Sequence, residues 1–397
     1  MNRNFVFTSE SVTSGHPDKL CDQISDAIVD RYLAEDPTSR VIAECAVASG
    51  ILFLAVHFAS RAKVDLPEVA RAVIEDVGYV GEGFNARDCT IMTTLQELPA
   101  PLPDGRLNAA DPDRVMAQQS VTVFGFACNH TPTMLPLPIH LAHKLARRLD
   151  LARLDGHLPY LAPDGQTQVG VTFRDRTPQR IYSVAIVTSQ WEGRAVAEAR
   201  LREGVMEHVV MPAFQDEVIA LDGRTQVAIN PAGLVIGGGP ALHAGLTGRK
   251  NAIDTYGEYC RHSGAALSGK DPGRIDRIGA YAVRHAAKQV VSAGLARECE
   301  LAVSYSIGKA RPVSVYAQTF GTGVLPDGIL SARLERHFDF RPAAIARRFD
   351  LQRLPEQHPA GFYRKLAVYG QMGRLDLDPP LERLDEADAL REWIKPA

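Results

Sequence analysis

The fold is decided by three consecutive stretches: DKLCDQISDAIVDRYL (residues 18–33), VIAECAVASGILFLAVHF (residues 41–58) and LPEVARAVIEDVG (residues 66–78). The first places apolar residues at helical spacing, with three aspartates on the opposite face, which predicts an amphipathic helix. The second predicts two strands joined by a tight hairpin at its central Ser-Gly. The third, with proline near its start and glycine at its end, is typical of a helix. The unit is therefore helix, strand, strand, helix.

The same order of elements recurs twice along the chain. Three copies of one unit predict an α/β (α+β) protein of three similar units related by pseudo-threefold symmetry, each sheet packing its apolar face inward. The units are expected at 1–125, with part of the C-terminal chain, at 126–230 and at 231–397. The later helices and strands are predicted at 138–149, 168–173, 180–188 and 193–210, then at 275–293, 299–306, 313–319 and 327–337.

Two long segments rich in glycine, proline and polar residues interrupt this plan, at 96–120 and 229–273. Loops of this length in a compact protein are usually functional. The first resembles an active-site lid. The charged, proline-punctuated stretch after about residue 340 is interpreted as surface helices.

Composition excludes several classes of protein. The 397 residues carry a net charge of −3, which argues against a nucleic-acid or membrane-surface partner, because those select broad basic surfaces. The N-terminus lacks the apolar region of a signal peptide, and no stretch approaches the roughly 18 apolar residues of a membrane span, so a cytoplasmic location is expected. The six scattered cysteines are expected to be buried thiols rather than disulfides or zinc ligands.

SGHPDK (residues 14–19) places His16, Asp18 and Lys19 at the start of the first helix. Free backbone N–H groups and the helix dipole favour an anion there, and Asp18 could bind magnesium. The alternative is an ordinary helix start with Pro17 in the first turn. The hexapeptide by itself leaves both open.

Two glycine-rich segments present cations. GAALSGKD (residues 264–271) has Walker A spacing but ends in Asp instead of Ser or Thr, so it is interpreted as a turn that offers Lys270 to a phosphate. Arg274 and Asp276 follow, as one more cation and one possible magnesium ligand. GLTGRK (residues 245–250) brings Arg249 and Lys250 to a backbone that a ligand can approach closely.

One acidic residue stands in a predicted strand. Glu44 has apolar neighbours two residues away on both sides, and is expected to point into the same buried layer and to need a partner. A cation ligand and a structural ion pair both satisfy this expectation.

Taken together and in this order, GHPDK, the INP segment, GLTGRK, DTYG and SGKDP resemble the S-adenosylmethionine synthetase (methionine adenosyltransferase) family. The resemblance runs from FTSESV at Phe7 to RPAAI near Arg341. It implies three similar α/β domains, in homodimers or dimers of dimers whose active sites lie between two subunits. The implied reaction is attack of the methionine sulfur on the 5′ carbon of ATP. The triphosphate leaves intact and is then hydrolysed to diphosphate and phosphate.

The resemblance also implies roles for single residues. His16 would lie near the leaving oxygen, Asp18 and Asp276 would bind Mg²⁺, and Glu44 would bind K⁺. Arg274 stands where the family has Lys, which keeps the charge but changes its shape. The implied catalytic residues are His16, Arg249, Lys250 and Lys270, and the phosphate-binding residues are these four with Lys19 and Arg274.

The half of the pocket that would hold methionine and adenine departs from the family pattern. His57 and His243 stand where the family has a Glu and an Asp for the methionine ammonium, and each lost charge-assisted hydrogen bond costs about 1.5–3 kcal/mol. Taken singly, each histidine fits a core residue without a ligand role. As a set they predict altered specificity. The altered positions are His57, Leu98, Gln119, Gln166, Val235 and His243.

Three functions remain open. The first is a methionine-adenosyltransferase-like transferase that binds ATP or another nucleoside triphosphate with Mg²⁺ and uses a different small-molecule nucleophile or nucleotide. The second is an S-adenosylmethionine synthetase with a rebuilt amino-acid site. The third is a catalytically silent homologue that regulates an active synthetase by forming mixed dimers, against which the retained magnesium ligands argue.

Overall fold

A computed structural model describes residues 4–81, 83–99, 107 and 110–394. The predicted lid therefore lies partly outside the described residues. The strands are β1 Asn4–Val12, β2 Arg40–Ala48, β3 Ile51–Ala59, β4 Thr90–Glu97, β5 Val121–Cys128, β6 Leu161–Arg174, β7 Thr177–Gln190, β8 Gln226–Ile229, β9 Val235–Ile236, β10 Gly245–Leu246, β11 Glu298–Tyr305 and β12 Ser314–Gln318. The helices are α1 Pro17–Glu35, α2 Leu66–Val77, α3 Leu137–Leu154, α4 Glu198–Val205, α5 Met211–Phe214, α6 Asn251–Asp254, α7 Ile275–Ser292, α8 Asp327–His337, α9 Pro342–Arg348, α10 Leu354–Gln357, α11 Tyr363–Leu366 and α12 Ala387–Arg391.

The predicted helix–strand–strand–helix unit is confirmed in all three places, as α1-β2-β3-α2, α3-β6-β7-α4 and α7-β11-β12-α8. Within each unit the first helix packs on its own sheet, and the buried apolar side chains join into one continuous core. The predicted bounds differ from the observed ones mainly at the ends of helices and strands. The largest difference is in the second unit, where β6 begins at Leu161, seven residues before its predicted start. In the same unit α4 begins five residues late and continues through a π turn, Met206–Val210, into α5.

Each sheet also contains strands that the sequence pattern did not predict. In the described residues the three sheets have the orders β10-β2-β3-β4, β1-β6-β7-β8 with β9 on β7, and β12-β11-β5. The pairing of β1 with β6 joins residues 4–12 to residues 166–174, and that of β5 with β11 joins residues 121–128 to residues 298–305. The sheets are thus assembled from distant parts of the chain.

Helix α1 is buried on almost all sides, including its aspartates. Asp26 forms an ion pair with buried Arg277 of α7, at 2.7 Å. Asp30 accepts the backbone N–H groups of Tyr363 and Arg364, both at 2.9 Å. The polar face that the spacing suggested is therefore a buried network that ties α1 to α7 and to the C-terminal segment.

The interpretation of the C-terminal stretch as surface helices is wrong. Helix α9 packs on α7 and helix α11 on α1, and the side chains of Ile345, Tyr363, Leu366 and Leu390 are buried. The sequence pattern hid this packing because these helices have only four to seven residues, too few to show a helical period.

The cysteines agree with the prediction. All six are free thiols, five of them buried and Cys260 partly buried. Among the described helices, none has both the length and the apolar character needed to cross a membrane.

Candidate active site

The start of α1 brings together several of the predicted residues. His16 caps the helix, and its Nδ1 accepts the backbone N–H of Asp18 at 3.2 Å. The buried carboxylate of Asp18 accepts the N–H of Leu246 at 3.0 Å, and its oxygens lie 3.7 Å from Arg249 Nε and 3.8 Å from Lys250 Nζ. The GLTGRK and SGHPDK segments therefore lie side by side.

Backbone pairing holds this arrangement in place. β10 pairs with the free edge of β2, with Leu246 opposite Ala46. Gly245 of β10 packs so closely that a Cβ there would lie 2.2 Å from the backbone of Pro17. A glycine is required at this point because any side chain would push the Arg-Lys loop away from the helix start.

His16 is neutral at physiological pH. Its burial lowers the pKa of the imidazole to about 4. Because its Nδ1 accepts a backbone N–H, the ring proton lies on Nε2. His16 can therefore donate one hydrogen bond from Nε2 to an oxygen of a bound ligand.

His243 lies beside His16 rather than in a separate pocket. The two rings are 5.2 Å apart at 65°. His243 Nε2 is hydrogen-bonded at 2.8 Å to Asp164, a residue that the sequence analysis missed, and this bond raises the pKa of His243. Asp164 is fixed in turn by the N–H of Gly239, at 2.8 Å. Asp164 could have been found from its position two residues before Gln166, which the sequence analysis had already selected. We call His16, Asp18, Asp164, His243, Arg249 and Lys250 the helix-start cluster.

Lys19 is placed differently from its neighbours in the motif. Its ammonium is fully buried between the carboxylates of Asp22, at 3.0 Å, and Asp254. These two charges raise the pKa of Lys19, so it is firmly protonated under the site. The burial argues against the predicted contact of Lys19 with a phosphate.

A second group lies further along the same edge of β2. Ala43 N–H donates to the carbonyl of Gly269 at 2.8 Å, and Lys270 stands opposite Ile42. Ile42 and Ala46 are four residues apart, so the two groups are separated by about 13 Å along the strand. Lys270 Nζ donates to Asp276 Oδ2 at the start of α7. The sheet edge thus positions the Lys-Asp pair.

Asp276 has an unsatisfied oxygen. Its side chain is fully buried, and its Oδ1 has no hydrogen-bond partner among the described residues. The Nε of Arg274, which caps α7, is likewise buried and unpartnered in the described part of the chain. Buried polar groups without a partner are costly and are usually completed by a ligand, an ion or water.

The strand register places His57 near this group. His57 is opposite Ile42 on one side and Gln96 on the other, and Ile42 is opposite Lys270. Residues opposite each other in a ladder share a face, so His57 and Lys270 lie two strand spacings, about 10 Å, apart on one face. Gln96, which the sequence analysis did not select, completes the row.

The expected burial of Glu44 is wrong. The buried residues of β2 are Val41, Ala43, Cys45 and Val47, whereas Glu44 and His57 are exposed on the outer face of the sheet. Alternation in a strand gives two faces but does not say which of them meets the core when both carry apolar residues. We call Glu44, His57, Lys270, Arg274 and Asp276 the sheet-edge cluster.

The remaining altered positions are distributed over several parts of the fold. Leu98 follows β4, and its N–H donates to the carbonyl of Phe58 beside His57, at 2.7 Å. Gln119 is partly buried next to Gln118, whose side chain accepts a hydrogen bond from Arg40 at the start of β2. The other two lie on the second sheet: exposed Gln166 on β6 opposite Val12, and partly buried Val235 on β9 opposite Ser189.

In the part of the chain that the structure describes, no hydrogen bond, ion pair or ring contact joins the helix-start cluster to the sheet-edge cluster. The residues predicted for one triphosphate site are therefore divided between two places on a single chain.

Comparison with known proteins covers nearly the whole chain. Three family models match in order: the N-terminal domain of S-adenosylmethionine synthetase over residues 4–100, its central domain over residues 114–235 and its C-terminal domain over residues 236–383. A protein of Synechococcus elongatus named S-adenosylmethionine synthase is 46% identical, covering 99% of this chain and 98% of the relative. A protein of the same name from Trichormus variabilis is 44% identical, over 99% and 98% of the two chains.

Proposed function

We propose that this chain, which belongs to the S-adenosylmethionine synthetase family and is a transferase of the methionine adenosyltransferase type, makes S-adenosylmethionine from ATP and methionine. In the proposed reaction the methionine sulfur forms a bond to the 5′ carbon of ATP. The bond from that carbon to the triphosphate oxygen breaks, and its electron pair stays on the oxygen. Water then hydrolyses the triphosphate to diphosphate and phosphate.

The observation that carries this proposal is the meeting of Arg249, Lys250 and Asp18 at the start of α1, where GLTGRK is pinned to SGHPDK. Two cations and a helix N-terminus form a strong site for a polyanion. Displacement of a triphosphate requires little covalent chemistry from the protein and depends on positioning and on stabilisation of the developing charge.

His16 is proposed to donate its Nε2 proton in a hydrogen bond to the leaving oxygen. The ring is neutral, and its Nδ1 is already engaged with a backbone N–H. A neutral donor of fixed orientation stabilises negative charge as it develops on the oxygen and needs no reorganisation during the step.

The residues also fit Mg²⁺. The buried, unpartnered Oδ1 of Asp276 and the carboxylate of Asp18 are hard oxygen ligands of the kind that Mg²⁺ prefers. When bound, Mg²⁺ would neutralise charge on the triphosphate. Asp18 and Asp276 lie in different clusters, so each would hold a Mg²⁺ ion of its own, while Lys270, Arg249 and Lys250 would pair with phosphate oxygens.

We further propose that two copies of the chain form the working site. The outer face of the first sheet exposes Ile51, Phe53 and Met92, each between 42% and 53%, which is more apolar surface than a lone copy favours. Glu44 lies on this face, so the proposed K⁺ site would form when a second copy covers it. Covering this face would also enclose His57.

A direct assay tests the main proposal. The full chain is incubated with ATP, Mg²⁺ and methionine, and S-adenosylmethionine, diphosphate and phosphate are followed by mass spectrometry and phosphate release. Formation of all three is expected, with activity raised by K⁺. Release of triphosphate products without any S-adenosylmethionine would contradict the proposed acceptor.

A second candidate is transfer of the adenosyl group to a nucleophile other than methionine. It is favoured by His57 and His243, which cannot pair with a substrate ammonium as carboxylates do. A panel of thiols, amines and amino acids, supplied with ATP and Mg²⁺ in place of methionine, separates the candidates. An adenosyl adduct that forms faster with another acceptor than with methionine would favour this second function.

A further inference from the structure

Helix α1 carries a row of aspartates at intervals of four residues, namely Asp18, Asp22, Asp26 and Asp30. Side chains at this spacing lie one above another on one face of a helix. The first accepts a backbone N–H of β10, and the last accepts two from the C-terminal segment. The inner two are fully buried and hold the loops that carry the cations of the site.

Each inner aspartate accepts the N–H of one glycine. Asp22 Oδ1 accepts from Gly248 at 2.8 Å, and Asp26 Oδ1 accepts from Gly269, also at 2.8 Å. The cations follow the glycine directly in both loops, as TGRK and SGK. The hydrogen bonds therefore end one residue before the first cation of each loop.

Both glycines have the same left-handed backbone, with φ of 79° at Gly248 and 78° at Gly269. A side chain would not fit at either position. An added Cβ would lie 2.3 Å from the Cβ of Ala266 in the first loop and 2.1 Å from the carbonyl oxygen of Ala43 in the second. Because glycine is required at both positions, the conformation of each loop is restricted, and its glycine N–H meets α1.

Helix α1 and strand β2 impose nearly the same separation on the two loops. The two aspartates are four residues apart in α1, which is about 6 Å along the helix. On β2, Thr247 N–H donates to the carbonyl of Cys45, and the carbonyl of Gly269 accepts the N–H of Ala43. These attachment points are two residues apart, which is about 7 Å along the strand. The loops are therefore held in a fixed relation to each other from two sides.

A buried cation fixes each aspartate in turn. Lys19 Nζ donates to Asp22 Oδ2 at 3.0 Å, and Arg277 donates to both oxygens of Asp26, at 2.7 and 3.0 Å. Arg277 also donates to the carbonyl of Lys270, at 2.8 Å. Hydrogen bonds with an ionised partner are roughly twice as strong as neutral ones. The two aspartates are therefore rigid anchors for backbone groups of the loops.

We propose that Asp22 and Asp26 are positioning residues, which act through Gly248 and Gly269 to fix the two cationic loops for a polyphosphate. The inference rests on the proposed function, in which a triphosphate meets the cations of both loops. Cations that are already in place stabilise the phosphate charge without reorganisation. A displaced loop removes contacts that a long anion makes with both loops, whereas a single phosphate still meets the cations of the other loop.

Calorimetric titration of the full chain in Mg²⁺ with diimidotriphosphate tests this inference, because the P–N–P links of this probe resist hydrolysis. The affinity for inorganic phosphate follows from its competition with the same probe. Asp22→Asn and Asp26→Asn each leave a single oxygen to serve both the buried cation and the glycine N–H. We expect each variant to weaken the binding of diimidotriphosphate by about tenfold or more, and that of phosphate by less than about threefold. The ratio of the two affinities should therefore fall.

Asp30→Asn is the matched control, because Asp30 belongs to the same row but accepts the backbone N–H groups of Tyr363 and Arg364, outside both loops. This variant should keep the ratio of affinities. Ser25→Ala is a milder test that leaves the buried ion pairs intact. The hydroxyl of Ser25 is hydrogen-bonded to that of Thr247 at 2.8 Å, so its loss should weaken the binding of diimidotriphosphate by at least about twofold.

The inference is overturned if the unaltered chain does not prefer diimidotriphosphate to phosphate, or if Asp22→Asn and Asp26→Asn weaken the binding of both ligands equally. A fall of the ratio in Asp30→Asn, or unchanged binding in Ser25→Ala, would overturn it as well. Far-ultraviolet circular dichroism confirms that each variant is folded, so that a changed ratio reports the placement of the loops.

Formation of S-adenosylmethionine by the unaltered chain is measured separately. If S-adenosylmethionine forms and the variants keep the ratio of affinities, this inference alone fails. If none forms and the variants lose the ratio, the proposed acceptor alone fails.

Discussion

The replacement of Asp276 by asparagine separates a metal ligand from a purely structural aspartate. The carboxylate is fully buried, with Oδ2 accepting from Lys270 and Oδ1 unpartnered. The asparagine amide can still accept from Lys270 through its oxygen, at a loss of about 1 kcal/mol, and its NH₂ group takes the unpartnered place of Oδ1. The free energy of unfolding of the metal-free chain should therefore fall by only about 1 kcal/mol.

Mg²⁺ binding should be weakened as well. Loss of an anionic ligand is expected to weaken Mg²⁺ binding in the presence of triphosphate by at least about tenfold, which removes about 1.4 kcal/mol of ligand-induced stabilisation at saturation. Urea unfolding with and without Mg²⁺ and inorganic triphosphate measures both effects on the same samples.

Asp271 supplies the matched control, five residues away. It is also buried, but both of its oxygens accept backbone N–H groups, from Val41 at 2.7 Å and Gly273 at 2.6 Å. Asp271→Asn must turn an NH₂ towards a backbone donor and should destabilise the chain by about 1.5–3 kcal/mol. If Asp276→Asn destabilises the metal-free chain equally and leaves Mg²⁺ binding intact, the assignment of Asp276 is refuted.

Four further changes have expected outcomes. The double substitution His57→Glu and His243→Asp should lower the KM for methionine by about tenfold or more, because one regained charge-assisted hydrogen bond is worth about 1.5–3 kcal/mol. Steady-state kinetics measures this change. An unchanged KM would contradict the assignment of these two residues to the methionine pocket. Burial raises the pKa of Asp30 to about 7, above its value in the unfolded chain. The protonated Asp30 therefore contributes its full stabilisation below about pH 4. The free energy of unfolding then falls by about 4 kcal/mol as the pH rises through 7. Urea unfolding from about pH 5 to about pH 8 should show a flatter profile for Asp30→Asn. Lys19→Met leaves two buried carboxylates without their cation and should lower the free energy of unfolding, measured by chemical denaturation, by about 3–5 kcal/mol. If the folded fraction still binds ATP with the original affinity, Lys19 is not a phosphate ligand. Phe53→Glu places a charge on the exposed apolar face and should shift the chain towards monomers in light scattering, whereas an unchanged mass would argue against this face as the interface.

Much of the fold could be predicted because periodicity acts over short distances. The apolar spacing of α1, α3 and α7 and the hairpins of β2-β3, β6-β7 and β11-β12 are properties of neighbouring residues. The strands β1 and β5 were missed because each completes a sheet whose other strands lie more than 150 residues away in sequence. Local patterns do not encode such pairings.

The residues of the candidate site likewise include some that the sequence revealed and some that it did not. Motifs with fixed spacing, SGHPDK and GLTGRK, identified His16, Asp18, Arg249 and Lys250, which the structure brings together. Asp164 was missed because its partner His243 is 79 residues away in the sequence, and the fold brings the two side chains within 2.8 Å of each other.

The sequence by itself determined the repeated unit, the family and the residue types that are proposed to bind a triphosphate. The tertiary structure decided which face of β2 carries Glu44, that Lys19 is enclosed by two carboxylates, and that Asp276 keeps an unpartnered oxygen. The physical reason is that burial and charge pairing depend on the sum of contacts from distant segments. A single residue has the same chemistry on a surface or in a core, and only its surroundings decide whether a carboxylate is a ligand, an ion-pair partner or a proton carrier.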